Sequence, residues 1–251
     1  MSDPAVRAEV LDLARSAQRV TVLTGAGMSA ESGVPTFRDA ETGLWARYDP
    51  MQLATAEAFA RDPETVWAWY LWRIGRLRSV EPNAGHLALA RWARRASVRI
   101  VTQNVDDLHE RAGSEVRAHL HGSLLDFRCF RCATPYAGPV DQPDEPVTAV
   151  APPRCRACGG PIRPGVVWFG EALPAGAFDA AVEVCQEADL VLVVGTSGIV
   201  YPAAALPGVA LAAGIPVVEV NPEPTELSHT VTHVWRTTAA LGLPALVDAL
   251  T

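Results

Sequence analysis

Lysine is absent from the 251-residue chain, so all 21 of its basic residues are arginine. A chain without lysine cannot itself carry lysine acylation. Acidic residues number 28 and the formal charge is −7, which argues against a duplex nucleic-acid binder, because such proteins carry a basic footprint. No secretory leader is expected, since Met1-Ser2-Asp3-Pro4 supplies neither a basic nor an apolar region, and a cytoplasmic location is expected with it. Nor is there an unbroken hydrophobic span. Leu190 to Val218 has no charged residue, but Gly195, Gly198, Pro202, Pro207, Gly208, Gly214 and Pro216 interrupt it. It reads as two buried strands, Leu190–Val194 and Pro216–Val220, around a helix, Pro202–Ala213, and no membrane association is expected.

With 49% hydrophobic and 20% charged positions, the chain can bury a full core, as one large domain or two unequal ones. Strand and helix signals alternate. Asp3-Pro4 predicts a helix running to about Ala17, with Pro at its first position. Val20–Thr24, Val98–Thr102 and Val116–His121 resemble the two later strands, and helices are expected near Asn83–Arg95 and Pro174–Glu187. This pattern predicts an α/β fold with a mostly parallel sheet covered on both faces. Two regions break the alternation and read as insertions. Met51–Arg78 is helical, with Asp62-Pro63 as a start signal, and residues 129–158 hold four cysteines around a linker with six prolines.

The strand Val20–Thr24 runs into Gly25-Ala26-Gly27-Met28-Ser29-Ala30, which has the spacing of a dinucleotide turn at a strand-to-helix junction. Glycines there allow a tight turn and close backbone approach to a pyrophosphate. Gly195-Thr196-Ser197-Gly198 follows another buried strand, and Asn221 stands just beyond a third, where it also reads as a turn residue before Pro222. Open α/β sheets bind ligands beyond the carboxyl ends of their strands, and Thr102-Gln103-Asn104-Val105-Asp106-Asp107 occupies such an end too.

Cys129-x-x-Cys132, then 22 residues, then Cys155-x-x-Cys158, is a four-thiolate zinc pattern. Four protein ligands leave no open position, so the metal should be structural; paired disulfides are the rival in an oxidising compartment. Cys185, inside a helical pattern, reads as a small buried apolar side chain. His119 and His121 alternate along a strand and share one face, either as structural residues or as a metal-chelating pair. Tyr70 and Arg73, three apart on a helix, could together grip a carboxylate; Trp67, Tyr70 and Ile74 also make an ordinary apolar stripe with Arg73 at its edge.

Taken together, Gly25 through Phe37-Arg38-Asp39, Thr102 through His109, His121-Gly122, the four cysteines, Val167-Trp168-Phe169-Gly170-Glu171, Gly195-Thr196-Ser197 and Val220-Asn221-Pro222 resemble the sirtuins, NAD-dependent protein lysine deacylases, over nearly the whole chain and in that family's order. The resemblance implies a Rossmann-like doubly wound domain, approximately 1–38, 82–122 and 166–251, and a smaller domain from a helical insertion, 39–81, and a zinc module, 123–165. NAD as co-substrate and one structural zinc ion are implied with it.

By the same resemblance, Gly25, Ala26, Gly27, Ser29, Ala30, Glu31, Pro35, Thr36, Phe37 and Arg38 would hold the phosphates and cover the nicotinamide ribose. Gln103, Asn104 and Asp106 would contact that ribose and the carboxamide, with Asn104 counted among the catalytic residues. Gly195, Thr196, Ser197, Asn221, Pro222, Glu223 and Ala239 would take the remaining cofactor contacts, largely at the adenosine end. His121 matches the general base. The acyl oxygen would attack C1′ of the nicotinamide ribose and expel nicotinamide. His121 would then draw a proton through the ribose hydroxyls, letting the 2′-oxygen attack and giving free lysine and 2′-O-acyl-ADP-ribose.

Val167, Trp168, Phe169, Gly170 and Glu171 would line the cleft where an acylated protein adds as an extended strand, with Trp168 walling the acyl-lysine tunnel. Tyr-x-x-Arg at Tyr70 and Arg73, with the small Ala54 sixteen positions before Tyr70, resembles the class that removes succinyl and malonyl groups. The expectation is desuccinylase and demalonylase activity together with deacetylation. The alternatives are a plain deacetylase, an ADP-ribosyltransferase that passes the ribose to a side chain, a non-catalytic NAD sensor, and a zinc-ribbon nucleic-acid protein. Gly198 departs from the family, where a second serine is common, and looser adenosine contacts are expected there.

Overall fold

The computed structural model describes residues 5–34, 45 and 48–250. Six parallel strands form its main sheet: β1 (Arg19–Thr24), β2 (Ser97–Thr102), β3 (Val116–His119), β6 (Leu190–Val194), β7 (Val217–Val220) and β8 (His233–Trp235). Their spatial order is β3-β2-β1-β6-β7-β8. Counting sheet strands alone in chain order, this is 3-2-1-4-5-6, the doubly wound arrangement whose order reverses between the first and fourth strands. That switch point lies between β1 and β6, in register from Val20↔Leu190 to Thr24↔Val194.

Both faces of the sheet are covered, as alternation along buried strands requires. Val20, Val22, Leu190, Leu192 and Val194 face a layer made by α1 (Ala8–Ser16), α5 (Ala84–Trp92) and α9 (Ala239–Ala249). Leu23, Val191 and Val193 face α7 (Ala177–Gln186) and α8 (Leu206–Ala212). The inert reading of Cys185 holds: it is fully buried in this second layer, and burial pushes its thiol up to about 12.

A separate core gathers the two insertions. α2 (Pro50–Leu53), α3 (Ala56–Arg61) and α4 (Pro63–Arg78) pack against the antiparallel pair β4 (Gly122–Cys129) and β5 (Ile162–Val166). Trp45, Phe59, Trp67, Trp69, Tyr70 and Trp168 fill it. The start signal at Asp62-Pro63 is used: the Asp62 carboxylate accepts from Thr65 N–H at 3.1 Å, and Pro63 opens α4 where no N–H is needed. Asn83 likewise caps α5, with His86 returning a bond to its backbone.

Three expectations need correction. The first helix begins at Ala8, and residues 5–7 before it are not helical, Asp3-Pro4 lying outside the described residues: the Ala5 carbonyl accepts from Trp235 Nε1 at 3.1 Å and the Arg7 guanidinium donates to the Val234 carbonyl at 2.9 Å, holding this stretch against β8. The third strand ends at His119, since the chain turns through residues 120–121 to Gly122, whose φ is +71°. No α-helix directly follows the first glycine turn. Two single 3₁₀ turns, Ala26–Met28 and Ala30–Ser32, stand there, in a stretch rich in Gly and Ser that ends at Gly33 with φ +89°.

Candidate active site at the strand reversal

The two glycine turns meet where the strand order reverses. Gly25 N–H donates to the Val194 carbonyl at 3.0 Å and Gly27 N–H to the Gly195 carbonyl at 2.8 Å. A Cβ on Gly195 would lie 2.4 Å from the Met28 nitrogen, and one on Gly27 would lie 2.7 Å from Gly195 Cα. Here the glycines are required by backbone packed on backbone. The small side chain of Ala26 is left exposed on the open side. Gln103, Thr196 and Gly198 line the polar edge of a small, mostly apolar cavity at these strand ends.

A polar network leads away from the turns. Asn104 Nδ2 donates to the Ser29 hydroxyl at 3.0 Å, and that hydroxyl and the Leu108 N–H both bond the Asp106 carboxylate. Burial raises the Asp106 pKa, with those two bonds opposing it. Beneath lies a set of buried side chains, Thr24, Thr102, His109 and His86, to which sequence reasoning gave no role. Thr24 Oγ1 donates to Thr102 Oγ1 at 2.8 Å and meets His109 Nε2 at 3.1 Å, while Thr102 Oγ1 also accepts from Asn104 N–H. The His109 ring packs edge-on against His86, centroids 4.8 Å apart. Burial lowers the pKa of His86 to about 4 and of His109 to about 3. In the sequence, Thr102 and His109 stand within the matched Thr102–His109 stretch with no role given to either side chain, and His86 stands within the helix expected near Asn83–Arg95.

His121 and His119 have different tasks. His121 Nδ1 lies 3.0 Å from the Gln103 carbonyl, which can only accept, so Nδ1 carries the proton and Nε2 keeps a free lone pair when the ring is neutral. Burial lowers its pKa, only partly offset by that carbonyl. His119 instead contacts Glu110 at 2.6 Å. Burial opposes its charge, but the hydrogen bond and charge of Glu110 outweigh that and raise its pKa. A metal-chelating pair is disfavoured because both His119 ring nitrogens are engaged, Nδ1 with the Asn104 carbonyl at 3.4 Å and Nε2 with Glu110; among the described residues, the four cysteines are the one group of three or more ligands close enough to share an ion.

At the β7 end, Asn221 Nδ2 donates to the Thr196 carbonyl at 3.1 Å, and Gln103 Nε2 donates to Thr196 Oγ1 at 3.1 Å. Asn221 Oδ1 accepts from Glu223 N–H, shaping an Asx turn through Pro222. Ser197 is half-buried beside them. Gly198 has φ +71°, so a serine there would be strained, and glycine suits this backbone irrespective of ligand. Glu31 is engaged elsewhere: its carboxylate accepts from Thr238 Oγ1 and Ala240 N–H, both at 3.0 Å, at the start of α9 beside Ala239. Ala30 is exposed next to it. Pro35, Thr36, Phe37 and Arg38 lie outside the described residues.

The segment after β5 crosses from His121 to the helical insertion. Val167 N–H donates to the His121 carbonyl at 2.8 Å, and Phe169 N–H donates to the Ala54 carbonyl at 3.1 Å beside a parallel bridge between Thr55 and Phe169. Phe169 and Gly170 are exposed, whereas Trp168 is buried. Glu171 accepts from Trp168 N–H at 2.8 Å and is clamped by the buried Arg163 through both guanidinium nitrogens. Tyr70 is buried, and its hydroxyl accepts from Trp168 Nε1 at 2.8 Å. The Arg73 guanidinium lies 4.9 Å from the Trp69 ring centre and 5.9 Å from that of Tyr70. Tyr70 and Arg73 thus come together, and Ala54 is buried in the same core.

The cysteines converge from two knuckles, all four Sγ atoms within 4.8 Å of one another. The separations Cys129–Cys158 at 3.4 Å and Cys132–Cys155 at 3.7 Å are far beyond a disulfide bond of about 2 Å. They match the edge of roughly 3.8 Å of a tetrahedron of thiolates bound to zinc at about 2.3 Å. Residues fit the ion in their backbone as well: the residue after each second cysteine, Ala133 (φ +58°) and Gly159 (φ +71°), is left-handed, turning each knuckle back. Its N–H donates to the carbonyl of the first cysteine of its pair.

Comparison with known proteins places this arrangement. The model of the Sir2 family matches residues 25–202. A "NAD-dependent protein deacylase 2" of Corynebacterium efficiens is 53% identical over 245 residues, covering 96% of each chain. A "NAD-dependent protein deacylase" of Mycobacterium tuberculosis is 56% identical over 232 residues, 92% of this chain and 98% of the relative. Among solved structures, a Sir2 homologue in complex with NAD superposes with a TM-score of 0.88 at 41% identity, covering 100% of this chain and 96% of that one. With its strand order, glycine turns and cysteine cluster matched over nearly its full length, the chain belongs to the Sir2 family.

Proposed function

We propose that the protein is an NAD-dependent protein lysine deacylase, with His121 as general base and a preference for acidic acyl groups. The observation that carries the reading is the His121–Gln103 bond, which leaves a neutral Nε2 lone pair at the carboxyl ends of the strands, on the residue whose carbonyl bonds Val167. The named activity of relatives 53–56% identical supports it. NAD supplies the electrophilic ribose carbon and the leaving nicotinamide.

The chain's own residues divide the remaining work. The turns at Gly25–Ser29 and Gly195–Ser197 bring backbone N–H groups close to the cofactor phosphates. Gln103, Asn104 and Asp106 orient the nicotinamide ribose, and the Asn104–Ser29–Asp106 bonds fix those side chains beforehand. Asn221, through Thr196, shapes the adenosine end. The exposed segment Phe169-Gly170 receives the substrate protein as an added strand, which gives affinity with little sequence reading. The four cysteines hold one zinc ion that ties the β4–β5 module together, away from the chemistry. The sheet and its helices form the larger domain and the two insertions the smaller, with the site between them.

The acidic-acyl preference rests on Tyr70, bonded to Trp168 in the core of the two insertions, and on the Arg73 guanidinium beside the Tyr70 ring. A carboxylate carried there needs a cation and donors, and these residues offer both. Mass spectrometry of one peptide bearing acetyl-, succinyl- or malonyl-lysine, with and without NAD, tests the reading on wild type and Arg73→Met. NAD-dependent succinyl removal that the variant loses while acetyl removal persists supports it. Removal of acetyl alone makes the protein a plain deacetylase; labelled NAD retained on an acceptor protein makes it a transferase; no turnover makes it a sensor.

A further inference from the structure

Tyr70 is a buried phenol with one acceptor role already taken. Trp168 Nε1 donates to its oxygen at 2.8 Å, and the two rings are tilted with centroids 6.3 Å apart. A tyrosine hydroxyl has a single proton and rotates to place it. With the indole N–H on one lone pair, that proton must point away from Trp168, and among the described residues no acceptor is paired with it. Burial pushes the phenol up to about 12, so the proton is present at any working pH.

Trp168 cannot swing out of this position. Its ring is boxed by Phe59 and Phe130, with centroids 5.3 and 6.2 Å away, and the Arg163 guanidinium carbon lies 3.3 Å from its ring centre. Arg163 is itself fixed by Glu171 and by the Val166 carbonyl at 2.8 Å. A cation on the face of an indole withdraws electron density and strengthens its N–H as a donor. Arg163, Trp168 and Tyr70 therefore form a polarised line, supplied by a six-residue stretch of sequence and one distant helix.

We propose that Trp168 is a specificity-determining positioning residue: its N–H, backed by Arg163, turns the Tyr70 proton into the acyl site so that a carboxylate-tipped chain is favoured over an acetyl group. An acetyl methyl leaves that buried donor unpaired, and a succinyl or malonyl carboxylate satisfies it. This inference rests on the acidic-acyl reading above and adds the residue that sets the phenol's direction.

The test compares kcat/KM for succinyl- and acetyl-lysine peptides, with NAD, in wild type, Trp168→Phe, Tyr70→Phe, the double variant and Arg73→Met. Trp168→Phe keeps an aromatic ring in the box and removes only the N–H. The succinyl-to-acetyl ratio is expected to fall about tenfold, mainly through KM for the succinyl peptide, with no further fall in the double variant relative to Tyr70→Phe. An independent reading comes from the Trp168 indole N–H resonance, which the succinyl peptide shifts more than the acetyl peptide does, and no longer shifts in Tyr70→Phe. If Arg73→Met loses the preference but Trp168→Phe keeps it, or if the two effects multiply, the inference is overturned while the acidic-acyl reading stands. A wild type without succinyl turnover overturns both.

Discussion

Gly27 N–H donates to the Gly195 carbonyl at 2.8 Å, locking the turn after β1 onto the turn after β6. The bond requires each residue to lack a side chain: a Cβ on Gly195 would strike the Met28 nitrogen at 2.4 Å, and φ at Gly195 is +62°. Gly195→Ala should cost about 3 kcal/mol or more, combining left-handed strain with a backbone clash. Chemical denaturation measures the loss, and NAD titration of the folded fraction should show weakened binding. Stability within about 0.5 kcal/mol of wild type would show that the two turns can separate without consequence.

Much of this was legible because it is periodic. Buried strands such as Leu190–Val194 announce themselves as short, mainly apolar runs, and β1, β2, β6 and β7 follow that rule, whereas β3 buries only Ala118. The sixth, β8, has only three residues, His233-Val234-Trp235, too few for a period. β4 and β5 were hidden by an irregular register between Ser123 and Phe127 and by Pro164 inside a strand. The long-range polar bonds were not readable at all. Glu31 reaches Ala240, 209 positions away, and Trp168 reaches Tyr70, 98 positions away, through packing that no local pattern encodes. The cysteine spacing was the opposite case, because a ligand motif states its own geometry.

That motif predicts a dependence on metal. Stripping zinc with a chelator, or replacing Cys155 with Ser, should unfold the β4–β5 pair and loosen the core that holds Trp45, Trp67, Trp69 and Trp168. Tryptophan fluorescence should shift to the red while far-ultraviolet circular dichroism keeps most of its helix and sheet signal. Measured zinc content should be one ion per chain in wild type and near zero in the variant. A zinc-free variant with unchanged fluorescence would contradict a structural role.

His86 and His109 predict acid lability. Both are buried with pKa lowered to about 4 and 3, so the folded state holds them neutral while the unfolded chain protonates them near 6.5. Their contribution is therefore intact above pH 6.5 and is lost as pH falls from there toward 4. With nearly two protons taken up on unfolding in that window, stability should fall by about 2–3 kcal/mol per pH unit. Denaturation curves at pH 7, 6, 5 and 4.5 would show the slope, and His86→Gln should remove about half of it. A flat profile in wild type would mean that protonated rings are tolerated inside.

His121 predicts a pH profile for turnover. Its Nδ1 proton is held by the Gln103 carbonyl and burial disfavours its charged form, so the basic Nε2 persists below pH 6.5. The acid limb of kcat/KM should therefore bend at a pH below the value of free imidazole, and activity should be flat through neutrality. His121→Ala should fold, as judged by an unchanged circular dichroism spectrum, and should lose turnover by a factor of roughly 10² to 10⁴. The residual rate should lack the acid limb, because the group that titrates has gone. Retention of that limb in the variant would move the base to another residue and leave the Gln103 bond as packing alone.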